Sequence, residues 1–373
     1  MSPWKTGCVD VSCREASYDE SRCALLRAHY ARRIEAGTLQ GAGFLLARDG
    51  KVFAHEIAGK RTWLPDSNDL APDSIKRIAS ITKLFTATAI MKLVENGTLW
   101  LEQPVKTIIP EFDTPMHGGI TIWNLLTHTS GLVADGGYFT EPYPVDRFQL
   151  LGEKDWIVKA VLAGPVACRP GEQWNYSSLS FNVLAEIVSR VSGSHYNDYV
   201  QTQIFQPLGM TRSFLEVPEK LWPEVCLIGE WDEMFLRRAK ERKGAPDGGG
   251  GVYSTLHDLF LFGQCFLNHG ENGGARILGK KTAQEMTRNQ LSGVPSFHWG
   301  KRLPSIRQGL GWEFFCDGST VGPETFNHEG WGWCSLFVDP VERFIFTSFV
   351  PSAKPWDPEL MVEPRTIAFS GIR

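Results

Sequence analysis

The run RIASITKLFTATAIMKLVENG, Arg77 to Gly97, places a lysine in a helix with almost no polar face. Ile81, Leu84, Phe85, Ala87, Ala89, Ile90, Met91, Leu93 and Val94 surround the axis, and Gly97 supplies a stop. A helix apolar on nearly every side is buried, and lysine is almost never buried without a partner. Ser80 and Lys83, at i and i+3, project from one face. They form either a surface edge of the helix or a functional pair.

The flanking chain changes periodicity twice. Tyr18 to Ala36 reads as an amphipathic helix with Leu25, Leu26, His29, Tyr30 and Ile34 along one side. GAGFLLARDGKVFAHEIAG reads as two strands joined at Asp49-Gly50. From about Trp123 to Met210 the pattern is largely helical: TIWNLLTHTSGL, then SLSFNVLAEIVSRVSG closed by Gly193, then YNDYVQTQIFQPLGM stopped at Pro207. GAPDGGGGVYST precedes the helix LHDLFLFGQCFLN, and its glycines Gly248 to Gly251 read as a flexible or tightly turning loop. GLGWEFF, WCSLFVD and RFIFTSFV return to strand, with a turn at Asp339-Pro340. Strands at both ends around a helical middle predict one sheet built from the two termini. Residues 18–110 and 300–373 form its domain, 111–299 a mainly helical insert, and 1–17 an irregular start.

Composition removes several function classes. A formal charge of −4, with 42% apolar and 21% charged residues, gives no reason to expect nucleic acid or an anionic membrane as partner. No apolar run approaches the ~20 residues of a membrane span. The first residues lack the basic cluster and apolar run of a signal peptide, and the eight cysteines include no Cys-x-x-Cys pair. Free thiols in a reducing cytoplasm are therefore expected. There is no Gly-x-Ser-x-Gly elbow. GARILGKK (Gly274 to Lys281) lacks the Ser or Thr after Lys280 that a phosphate-binding loop needs. No histidine pair has metal-ligand spacing on a helix, so neither metal nor cofactor is expected.

Ser80-Ile81-Thr82-Lys83 survives this pruning. A serine at a helix N-terminus sits where free N–H groups and the dipole favour negative charge, and its own amide can face an oxyanion. Lys83, one turn on, can hold the hydroxyl, and desolvation makes a lysine a usable base. Tyr176, in PGEQWNYSSLSF at a loop-to-helix junction, either packs as a ring with its hydroxyl on backbone or exchanges protons with the nucleophile. His328-Glu329-Gly330 opens an apolar strand; its glycine permits close approach of a ligand, and the Trp331 amide is a candidate second oxyanion donor.

The chain resembles the serine β-lactamase and penicillin-binding protein superfamily in its class C-like branch, which includes D,D-peptidases, D-amino-acid amidases, family VIII carboxylesterases and some acyltransferases. RIASITKLFTA, LLTHTSGL, PGEQWNYSS, IFQPLGM, GGVYST, GLGW and HEGWGW…VDP stand in that superfamily's order and approximate spacing, from about residue 20 to 350. The resemblance implies an α/β, β-lactamase/transpeptidase-like fold: an antiparallel sheet from both termini flanked by helices, plus an inserted mostly helical domain. It makes Ser80 the acylated nucleophile, Lys83 its activator and Tyr176 the general base. It places the strand motif on His328-Glu329-Gly330 and the oxyanion hole at the amides of Ser80 and Trp331.

Two positions depart from the pattern. Ser178 stands where relatives that handle β-lactams or peptides carry an amide-binding asparagine. His328 replaces the strand lysine that reads a substrate carboxylate, and carries at most partial charge near pH 7. With Trp174, Trp331 and Trp333 nearby in sequence, the expectation is a small-molecule ester as substrate. The activity expected is a carboxylesterase or lactonase on small to medium apolar esters. The alternatives are a D-amino-acid amidase, peptidase or weak β-lactamase acting on an amide, an acyltransferase of secondary metabolism, and a non-catalytic scaffold. Loops such as Val133 to Leu151 and Cys226 to Asp247 are expected to shape the pocket.

Overall fold

The computed structural model describes residues 4–132, 155–163, 166–239, 246–298, 301–314 and 318–373. The hairpin at Asp49-Gly50 forms as expected. Strand β2 (Gly41–Arg48) turns into β3 (Lys51–Gly59) through two residues with φ of 50° and 77°. That is the doubly positive conformation matching the right-handed strand twist. Near the C-terminus, β7 (Phe326–Gly330), β8 (Cys334–Asp339) and β9 (Phe344–Phe349) form a meander. Asp339 accepts from the amides of Val341 and Glu342 at its second turn. β9 pairs antiparallel with β2, so the two ends of the chain share one sheet, ordered β1-β3-β2-β9-β8-β7. The edge strand β1 (Lys5–Thr6) lies in the segment read as irregular; it pairs with the otherwise open side of β3.

Period-2 alternation divides the sheet's side chains between two cores. Phe44, Leu46, Phe53, Phe337, Phe344 and Phe346 meet helix α1 (Glu20–Glu35) and the C-terminal helix α7 (Pro358–Phe369). Leu45, Ala47, Val52, Leu336, Val338 and Ile345 face the other way. They join a core with α2 (Thr82–Glu95), α4 (Ser178–Ser192) and α6 (Leu256–Leu267). α2 is the buried helix that the sequence demands: of its fourteen residues, eleven are buried, Lys83 among them.

Two further segments differ from the sequence reading. The C-terminal helix is absent from that reading, and it contains two prolines, residues that disfavour a helix interior. Pro358 nevertheless occupies the first turn, where no amide partner is lost, and Asp357 caps it by accepting from the Glu359 amide. The described part of GLGWEFF, Gly309 to Phe314, forms no strand beyond isolated bridges at Glu313. Gly311 adopts φ 83°, and a Cβ there would lie 2.7 Å from the Ala87 Cβ, so the segment folds as a turn that drives Leu310 and Trp312 into the core. Among the described residues no helix is long and apolar enough to cross a membrane, and no group of histidine, cysteine and acidic residues could hold a metal ion.

Candidate active site

A short three-stranded sheet delivers Ser80. Its central strand β4 (Ile75–Arg77) lies between β5 (Val225–Cys226) and β6 (Tyr253–Ser254). Ala79 then turns the chain at φ 43°, a left-handed conformation that costs a non-glycine residue about 1 kcal/mol. Ser80 sits in the 3₁₀ turn Ala79–Ile81 that feeds α2, partly open to solvent. Thr82 holds this junction by accepting from the Val252 amide.

Lys83 is completely buried and directs its three donors at three acceptors. Nζ donates to Ser80 Oγ (3.0 Å), Ser178 Oγ (2.9 Å) and the Gly249 carbonyl (2.8 Å). It also lies 4.7 Å from the centroid of the Tyr176 ring. Ser80, Lys83, Tyr176 and Ser178 therefore converge, although residues 80 and 176 come from elements far apart in sequence. Ser178, expected to face substrate, instead has its hydroxyl on Lys83 at the first turn of α4. Its neighbour Ser177 caps that helix by accepting from the Ser180 amide.

The glycine run is part of this arrangement and not a slack loop. A Cβ on Gly248 would lie 2.5 Å from the Phe181 carbonyl, and one on Gly249 would lie 2.8 Å from that of Ser178. Only glycine lets the backbone come this close. The Gly249 amide donates to Asn182 Oδ1, while Thr86, one turn after Lys83, donates to the Gly248 carbonyl and receives the Tyr196 hydroxyl proton. The sequence signal was the unbroken run of four glycines; its partner helix was not legible.

His128, in the THTSG turn, is a second contributor that sequence reasoning did not single out. Its backbone sits at φ 57°, its carbonyl accepts from the Asn175 amide, and its Nδ1 accepts from the Ser177 amide. An Nδ1 that accepts leaves the ring proton on Nε2. The imidazole stacks on Tyr176 with centroids 4.5 Å apart and planes 26° from parallel. Trp174 packs edge-on to His128 and donates Nε1 to Gln308 Oε1, forming a buried wall behind Tyr176.

Strand β7 closes the opposite side, and here the predicted residues separate. His328 is buried, with its ring centroid 6.5 Å from that of Tyr176. Desolvation first, and the Lys83 charge second, push its imidazole down to about 3. The Glu313 carboxylate, 3.6 Å from Nε2, pulls the other way, but burial of both groups keeps the imidazole neutral near pH 7. Nδ1 donates to the Glu329 carbonyl, which leaves the Nε2 lone pair facing inward.

Glu329, one residue on, points to the other face of the sheet, as strand alternation requires. Its carboxylate meets Arg365 of α7 (3.3 Å) and the Trp356 indole (3.3 Å), which ties β7 to the C-terminal helix. Trp333 is likewise turned away: its ring joins the core beneath α1 and α7, and its Nε1 donates to the Lys354 carbonyl. Gly330 does permit a close approach, but by the protein itself: a Cβ there would sit 2.1 Å from the Ile78 carbonyl. This contact presses β7 onto the backbone just before Ser80 and sets Trp331 at the rim, 4.9 Å from Trp231 in an edge-to-face pair. Of the two loops expected to shape the pocket, Val133 to Leu151 lies outside the described residues; between Cys226 and Asp247, helix α5 (Glu230–Arg238) is described.

Comparison with known proteins agrees with this architecture. The esterase EstB of Burkholderia gladioli is 32% identical over 290 residues, covering 65% of this chain and 72% of its own. The D-alanyl-D-alanine-carboxypeptidase/endopeptidase AmpH of Escherichia coli is 34% identical over 215 residues, covering 54% and 51%. A family VIII carboxylesterase of known structure superposes with a TM-score of 0.76 at 19% identity, covering 98% of this chain and 99% of that one. The Beta-lactamase family model matches residues 26–363. With that match spanning most of its length, and with its sheet and helices arranged as above, this chain belongs to the Beta-lactamase family and has the β-lactamase/transpeptidase-like fold.

Proposed function

We propose that this protein is a serine hydrolase acting on small to medium apolar esters through an acyl-Ser80 intermediate. The observation that carries the reading is the buried Lys83 with its Nζ 3.0 Å from Ser80 Oγ. With all three ammonium hydrogens donated, Lys83 acts by its charge, favouring both an alkoxide at Ser80 and a phenolate at Tyr176. Tyr176 then accepts the Ser80 proton as Oγ attacks the ester carbonyl. The amides of Ser80 and Trp331 receive the oxyanion. Tyr176 returns the proton to the leaving alkoxide, the acyl C–O bond to the alcohol breaks, and water, deprotonated by Tyr176, releases the acid.

Ester over amide is supported by three features. Ser178 has no NH₂ donor, and its hydroxyl is engaged by Lys83. The neutral His328 provides no cation for a substrate carboxylate. EstB is an esterase by name. AmpH supports the second reading, a D-alanyl carboxypeptidase. The test is pre-steady-state release of p-nitrophenol from p-nitrophenyl butyrate, with intact mass taken during turnover and D-alanyl-D-alanine peptides as a parallel substrate. A burst with a butyryl adduct that vanishes in Ser80→Ala is expected. Equal rates in both proteins without an adduct would remove Ser80 as nucleophile, and peptide turnover exceeding ester turnover would replace the esterase reading by the second.

A further inference from the structure

Two thiols that the proposed hydrolysis does not use touch each other at the start of the chain. The sulfurs of Cys13 and Cys23 lie 3.9 Å apart, where the N-terminal arm meets the first turn of α1. Both ends of this contact are held. Lys5 and Thr6 pair with Ile57 and Glu56 of β3, and the Gly7 amide donates to the His55 carbonyl. Asp10 exchanges two bonds with Val52, its amide donating to the Val52 carbonyl and its carboxylate accepting from the Val52 amide. The Tyr18 amide then donates to the Cys13 carbonyl (2.8 Å), and the Tyr18 hydroxyl to the Ala368 carbonyl. Cys23 is set from the other side by α1, whose N-terminus Asp19 caps.

The two sulfurs differ in access and in acidity. Cys13 is half-buried and Cys23 buried. Burial pushes both thiols up, Cys23 the further. The Cys23 thiol, as hydrogen-bond donor, supports a thiolate at Cys13, while the charges of Glu20 and Glu56 oppose one. Cys13 is therefore the sulfur that meets an oxidant, and Cys23 the one placed to resolve the product. A disulfide is about 2.05 Å long, so the sulfurs must close by roughly 1.9 Å, shared between two side-chain rotations.

We propose that Cys13 and Cys23 are a modification site for low-molecular-weight disulfides of the glutathione type, which convert the pair to an internal disulfide and staple the arm to α1. The Cys13 thiolate attacks one sulfur of oxidised glutathione, and the first glutathione leaves as its thiolate. Cys23 gives its proton to solvent, attacks Cys13 Sγ and displaces the second glutathione. The pair loses two electrons and two protons, and the oxidant's disulfide becomes two thiols. The closed ring restricts the unfolded arm more than the folded one, so the oxidised protein is the more stable form.

The reduced protein carrying Cys8→Ser is incubated with oxidised glutathione at about pH 8.5, the ordinary thiol value, then alkylated and digested with trypsin without reduction. Cleavage after Lys5, Arg14, Arg22 and Arg27 separates Thr6–Arg14 from Cys23–Arg27. These two peptides are expected to appear joined, two hydrogens lighter than their sum. Melting should rise by about 3 °C and return on adding dithiothreitol. Cys13→Ser, at the more accessible position, should fold and lose both the joined peptide and the melting shift. Cys23→Ala is expected to do the same, and serves should Cys13→Ser not fold. Glutathione adducts on Cys13 with no joined peptide would overturn the proposal. So would a pair that stays reduced while the exposed Cys8 of the unaltered chain takes up glutathione under the same conditions. A fully joined protein that melts as the reduced one does would overturn the stapling of the arm.

Discussion

Replacing Lys83 by methionine tests whether the charge or only the packing at this position matters. Methionine is close in length and apolar, so α2 and its neighbours keep their contacts. Taking the Ser80 Oγ to Lys83 Nζ separation of 3.0 Å and an effective dielectric of about 20, the charge stabilises an alkoxide at Ser80 by roughly 5 kcal/mol. Part of this is screened as the oxyanion moves onto the substrate, so we expect acylation to slow by about 10³- to 10⁴-fold. Stability should move little or rise. Three charge-assisted hydrogen bonds are lost, but so is the desolvation cost of a completely buried ammonium. The assay is the single-turnover burst with p-nitrophenyl butyrate, read beside a urea melt. Burst rates within tenfold of wild type, in a variant whose melt is unchanged, would refute an electrostatic role for Lys83.

Further predictions concern the supports of the site. Gly330→Ala places a methyl 2.1 Å from the Ile78 carbonyl and must push β7 away from the Ser80 turn; at least hundredfold loss of kcat/KM is expected, with about 2 kcal/mol lost in a urea melt. His128→Ala removes the ring stacked on Tyr176, and kcat should fall about ten- to hundredfold with KM within threefold, since Tyr176 loses orientation and not substrate contact. His328 stays neutral when folded but protonates at its ordinary value when unfolded. Stability therefore rises with pH between about 3 and 6.5 and is lost as pH falls through that window, by roughly 2 kcal/mol at pH 5 for this group. His55, pushed down to about 4 by burial, contributes in the same direction, so His328→Gln should flatten the acid limb of melts at pH 7 and pH 5 without abolishing it.

Elements defined by neighbouring residues are legible in the sequence alone. The buried helix follows from apolar residues all around Leu84 to Val94, the hairpin from Asp49-Gly50 between apolar runs, and the Ser80–Lys83 pair from one-turn spacing. Each of these depends on periodicity or on a local dihedral preference, which the chain carries along its own length. What surrounds the pair depends on contacts between residues far apart in sequence. That Lys83 finds Ser178 and the Gly249 carbonyl is decided by how α4 and the glycine run pack on α2, across separations of 95 and 166 residues. Nor does the order of residues distinguish Gly330, whose missing side chain admits the Ile78 carbonyl, from a glycine that admits a ligand. Strand alternation alone would have turned Glu329 away from its neighbour His328, but which face holds the site is known only once β7 lies beside the Ser80 turn. Arg77 is the extreme case. In the sequence it is one more basic residue, and only burial against the adjoining rings of Trp231 and Phe235 makes its charge conspicuous. Local pattern thus specified the Ser80–Lys83 pair; desolvation and close packing, which exist only in the folded chain, decided what every other group around them can do.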